Sequence, residues 1–150
     1  MATAHYYKHL VARYFAEVLN QAQLATLEAL IADNYVVHDP GLPGRPDGIE
    51  GAKRTLRLYR NAFPDMQYAI EAMVAEGEQV VVRWRATGTH RGEWFGIPPT
   101  GQAGTIEGIS MFRFVNDKLV EQWTNWDTMG LLTQLGVVPL LPERLRHPAW

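Results

Sequence analysis

The sequence has no cysteine among its 150 residues. That excludes disulfides, thiolate metal sites and a cysteine nucleophile, and it fits a reducing compartment. No apolar run approaches the roughly 18 residues a membrane helix needs. The first ten residues carry His5, Tyr6, Tyr7 and His9 instead of a basic start and an apolar stretch, so the expectation is a cytoplasmic protein without a membrane partner. Charge of one sign is not in excess either: 14 basic and 16 acidic residues leave a formal net charge of -2, spread along the chain. No basic stripe is available to track a phosphate backbone, and nucleic acid is not an expected partner. The five histidines sit at 5, 9, 38, 90 and 147, in separate segments, so no metal site is expected. There is no phosphate-binding glycine loop, no dinucleotide fingerprint and no GxSxG elbow, and no cofactor is expected.

What is present is the pattern of one folded domain spanning 1–150. Hydrophobic residues make up 47% of the chain and charged ones 20%, as expected of a single core. Tyr7, Leu10, Val11, Tyr14, Phe15 and Val18 recur at helical spacing and predict a first helix over 7–19. Leu24, Leu27, Leu30 and Ile31 predict a short second one. The β-prone run 35–38 then meets a loop, 39–46, whose three prolines and two glycines exclude regular structure. Asp47 is placed to cap a third helix, whose inner face carries Ile49, Ala52, Leu56, Tyr59 and Phe63 before Pro64 stops it.

Beyond Pro64 the period changes to that of strands: 67–74, 79–90, about 105–115 and 118–126. Gly77 and the Asn116-Asp117 pair mark tight hairpins, and 88–104 is a wider connection. Asp127 is placed to cap a last helix, 128–135, ended by Gly136, and a proline-rich tail occupies 137–150. The expected architecture is α+β: three N-terminal helices against an antiparallel meander, with a short C-terminal helix.

Several segments in this order carry a resemblance: 15–20 (FAEVLN), 35–40 (YVVHDP), 63–65 (FPD), 88–90 (GTH), 96–101 (GIPPTG) and 126–136 (WDTMGLLTQLG). Together they resemble the SnoaL-like polyketide cyclases and ester cyclases of the nuclear transport factor 2-like superfamily, over about residues 5–136. The resemblance implies a cone: a strongly curved sheet wrapped round the helices and enclosing an apolar pocket, in chains that form homodimers or homotetramers. It also implies a small hydrophobic ligand or substrate. In the cyclases an aspartate on the last strand moves protons in an aldol closure, without cofactor or metal. That aspartate falls on Thr124 here, and a histidine of the preceding strand falls on Ser110.

This departure matters, because abstracting a proton beside a carbonyl needs a base that titrates near neutral pH, and an alcohol does not. Strand alternation groups Gly108, Ser110 and Phe112 with Gln122, Thr124 and Trp126 as one uncharged wall, with Tyr14 and Tyr59 facing it from the helices. Arg83, inside the run 80–84, is a candidate to hold a carboxylate or enolate oxygen. His38 is the first candidate to replace the missing base and Asp127 the second, although Asp127 is also a natural helix cap and His38 a natural turn residue. The function expected is cofactor-independent cyclisation, isomerisation or hydrolysis of a hydrophobic carbonyl compound or ester. A non-catalytic module that binds a hydrophobic ligand is the alternative, and an epoxide hydrolase-like activity stands behind both.

Overall fold

The computed structural model describes residues 3–138; the tail expected over 137–150 lies outside the described residues from 139 onward. Helix α1 (Ala4–Arg13) runs into a π-helical segment (Tyr14–Leu19) and is followed by α2 (Leu24–Leu30), strand β1 (Ile31–His38) and α3 (Gly48–Ala62). Strands β2 (Gln67–Glu76), β3 (Gln79–Thr89), β4 (Ala103–Val115) and β5 (Lys118–Trp126) precede α4 (Thr128–Gln134). No helix of the described residues is long and apolar enough to cross a membrane.

The sheet order is β1-β5-β4-β3-β2, and the four later strands form the antiparallel meander that the alternating pattern predicts. β1 is longer than the expected 35–38 and pairs with β5 in parallel. A parallel partner can be reached only by a long crossover, here everything from α3 to β4, which no local signal in the sequence announces. Register shifts between Ile31 and Val36, Ile70 and Ala72, and Arg113 and Phe114 add extra residues to one strand of a pair. Such bulges bend the strands and curl the sheet.

The concave face of the sheet and the helices share one core, in which Val11, Val18, Leu27, Ile31, Tyr35, Val80, Val82, Phe112 and Leu119 are almost fully buried. Each such side chain contributes roughly 1.5–3 kcal/mol by leaving water. A second cluster, with Ala62, Phe63, Met66, Trp94, Leu131 and Leu135, closes one end beneath α4. Asn116 and Asp117 both adopt left-handed φ, 49° and 64°, as a two-residue hairpin turn that follows sheet twist requires.

Two expected caps have different outcomes. Asp127 caps α4, accepting from the Gly130 amide at 2.8 Å. Asp47 occupies the position before α3, yet its carboxylate accepts from the Val37 amide at 2.9 Å and makes no cap bond. It spends its acceptor on joining the loop to β1.

Candidate functional site

A cavity of about 740 Å³ of atom-free space, its mouth included, opens between the helices and the concave sheet. From β4 and β5 come Ser110, Phe112, Gln122, Thr124 and Trp126; from the helices come Tyr14, Phe15, Val18, Thr55, Leu56 and Tyr59. Tyr14, Phe15, Val18 and Leu19 all belong to the π-helical segment, closed by the Asn20 amide on the Phe15 carbonyl at 3.0 Å. The wider π turn brings four neighbouring side chains to one face, and π segments recur at functional sites for this reason.

The wall formed by the strands is polar but internally bonded. Ser110 and Thr124 are register partners on β4 and β5, with hydroxyls 2.5 Å apart. The Trp84 indole donates to Ser110 Oγ at 2.9 Å. It lies flat on β4 because residue 108 is glycine: an added Cβ would run into the indole ring. Across the wall, the Tyr35 hydroxyl donates to Gln122 Oε1 at 2.7 Å and so orients that amide.

The only acid and base among the described lining residues come from the loop between β1 and α3. The Asp39 side chain is 2% exposed, and its Oδ2 accepts from Arg45 at 3.1 Å while Oδ1 accepts from the Trp126 indole at 3.0 Å. Arg45 is 14% exposed on its side chain, and its buried Nε has no partner among the described residues. Burial works against the guanidinium charge, but Tyr35, Tyr14 and Asp39 around it hold its pKa above the ordinary value. Burial raises the pKa of Tyr14, Tyr35 and Tyr59 and pushes Tyr68 up to about 12, against the opposing pull of Arg45. These phenols are therefore neutral donors near pH 7, and the cavity's charge resides in Asp39 and Arg45.

Glycine also fixes this loop. A Cβ on Gly41 would stand 2.5 Å from Thr128 Oγ1 and 2.7 Å from the Trp126 indole nitrogen. Only a bare Cα lets the loop close over Trp126 and bring Asp39 inward.

Of the residues named from sequence, Tyr14, Tyr59, Ser110, Phe112, Gln122, Thr124 and Trp126 line this cavity, whereas Arg83, His38 and Asp127 do not. Arg83 is exposed because Val82 and Trp84 take the inner face of β3, and the period of two sends their neighbour outward. His38 is outward for the same reason, next to inward Val37; it is 44% exposed, meets Glu121 at 2.8 Å and stacks on Trp123. Asp127 spends its carboxylate on the α4 cap. From sequence, Asp39 before Pro40 reads as a turn organiser rather than a catalytic group, and Arg45 is not singled out, because strand alternation says nothing about a loop. The signal available was an acid and a base six residues apart bracketing Pro40 and Pro43.

The motifs behind the resemblance prove to be mostly structural. Asp65 accepts from the amide and the hydroxyl of Thr89, both at 2.7 Å, joining the FPD and GTH segments. These bonds, the amide first, hold its carboxyl below the usual range. His90 is fully buried and stacked on Phe63; Thr100 of the GIPPTG segment donates its amide to His90 Nδ1. Gln134 exchanges two bonds with the backbone of Thr105, fastening α4 to β4.

The sequence matches the SnoaL-like polyketide cyclase family profile over residues 9–135. The chain belongs to this family. Among solved structures, IdmH of Streptomyces antibioticus, described as a candidate polyketide cyclase, is 35% identical, with 87% of this chain and 99% of that one covered and a TM-score of 0.76. A candidate polyketide cyclase from Acidithiobacillus ferrooxidans is 31% identical over 91% of this chain and 98% of its own, with a TM-score of 0.79. AclR of Streptomyces galilaeus, described as a candidate hydroxylase, is 26% identical over 96% and 93%, with a TM-score of 0.82. No curated protein matches the sequence significantly. The fold is accordingly the nuclear transport factor 2-like one, and within the family this SnoaL-like chain carries its pocket acid on a loop.

Proposed function

We propose that this SnoaL-like protein is a cofactor-independent enzyme that takes a small hydrophobic carbonyl compound or ester into the cavity and moves a proton at the carbon next to the carbonyl. The buried Asp39–Arg45 pair on an otherwise uncharged lining carries this reading. Asp39 is the one carboxylate among the described lining residues able to accept the proton, and the adjacent guanidinium supplies positive charge for the enolate oxygen that forms. Trp126 holds Asp39 in place, and the neutral phenols of Tyr14, Tyr59 and Tyr68 on the lining offer hydrogen bonds to the same oxygen. Cyclisation or isomerisation both begin with this step.

The test is hydrogen–deuterium exchange at the activated carbon of a β-keto ester in heavy water, followed by NMR. The wild-type protein is expected to accelerate exchange and Asp39→Asn to lose at least about a hundredfold, the usual scale for a general base. Equal rates in the two proteins would end the proposal.

A second reading, a non-catalytic binder, draws support from the strand wall, where Ser110, Thr124, Trp84, Gln122 and Tyr35 spend their bonds on one another. It predicts saturable binding of the same ester with no exchange. Epoxide hydrolysis by two carboxylates flanking an arginine is disfavoured, because Asp39 is the single carboxylate among the described lining residues. The homodimer or homotetramer belongs to the same proposal; Val74 and Ile109, 64% and 53% exposed, support it, and light scattering tests it.

A further inference from the structure

The cavity does not end at the polar wall. A second chamber, about 370 Å³ of atom-free space with its mouth included, lies under α4 and is half the size of the first measured the same way. The two share the lining residues Tyr59, Met66, Tyr68 and Ile106, which stand between them and are the neck that a ligand spanning both would pass. All the charge is on one side of this neck: the second chamber is walled by Phe63, Ala86, Leu131 and the glycine pair Gly88 and Gly104, which face each other across β3 and β4. The glycines let its walls pack closely: an added Cβ would press on Phe63 at 3.2 Å or on Leu131 at 3.3 Å.

We infer that the substrate is an elongated amphipathic molecule, its carbonyl head at Asp39 and Arg45 and its hydrocarbon body passing the neck into the second chamber. This rests on the reading of the main cavity as a carbonyl-compound site. The polar end fixes orientation, and the second chamber selects length, because each methylene buried there adds affinity while no charged group lines it. A compact ketone would leave the second chamber unfilled and gain nothing from it.

The experiment uses a homologous series of straight-chain methyl 3-oxoalkanoates, titrated by calorimetry against the full chain carrying Asp39→Asn, so that no turnover interferes. Affinity is expected to rise about fourfold per methylene until the second chamber is full, then to level off. Leu131→Ala, which enlarges the chamber, should move the levelling point to longer esters; Ala86→Leu, which fills it, should move it to shorter ones. Neither should change affinity for the shortest ester that binds. Circular dichroism confirms that each variant is folded, and Gly104→Ala serves as the filling variant if Ala86→Leu is not. A levelling point that stays put in folded variants overturns the inference and leaves the carbonyl site standing. Failure of every ester to bind overturns both.

Discussion

Replacing Arg45 by methionine removes one half of the buried pair while keeping most of the side chain's volume. Asp39, with its side chain 2% exposed, is then left with the Trp126 indole as its only donor among the described residues. Breaking a buried ion pair from one side costs roughly 3–5 kcal/mol because the remaining charge is uncompensated. Arg45 lies on a loop, and its side chain is 14% exposed, so some relaxation toward solvent is available and the lower end, about 3 kcal/mol, is expected. Asp39→Asn should cost less, about 1–2 kcal/mol, because it keeps an acceptor for Trp126 and leaves the charge on the longer side chain that can reach water. The double variant should be about 2 kcal/mol more stable than the sum of the single costs predicts, the mark of a direct interaction. Urea denaturation with a shared slope reads all three values, and Arg45→Met should also lower Tm by about 6–12 °C. A cost below about 0.5 kcal/mol for Arg45→Met, or strict additivity, would refute the pair's place in the folded state.

Three further outcomes are expected. Asp65→Ala should cost about 1 kcal/mol at neutral pH, discounted because the carboxylate is exposed. The Thr89 bonds lower this group's pKa in the folded state. Its stabilisation is thus present above the unfolded value of about 3.9 and is lost as pH falls through the folded one, so the gap from wild type should close in acid melts. Gly108→Ala forces a methyl into the Trp84 indole and should cost about 1–3 kcal/mol, with a shifted indole N–H resonance as the bond to Ser110 is disturbed; an unmoved resonance would contradict that packing. His38→Ala should leave both stability and proton exchange at their wild-type levels, since His38 faces outward on Glu121 and Trp123; a loss of exchange would return His38 to the site.

The strand wall was legible because a period of two is a local rule. Once Thr124 faces inward, Gln122 and Trp126 follow, and the register pairs them with Phe112 and Gly108. The same rule, applied strictly, would have sent His38 and Arg83 outward, since Val37, Val82 and Trp84 are their apolar neighbours. The burial of His90 was not legible, because it depends on where Thr100 and Phe63 arrive, and neither is fixed by neighbouring residues.

By itself the sequence determined most of the elements, the hairpin turns and the grouping of the polar wall, because each follows from residues within a few positions of one another; the missing strand acid followed from the resemblance. Tertiary structure alone decided the parallel pairing of β1 with β5 and the inward turn of Asp39 onto Trp126, 87 residues away along the chain. A loop side chain has no periodic face, so which way it points is settled by what the rest of the fold brings beside it. Here that is an arginine, an indole and the open end of a cavity.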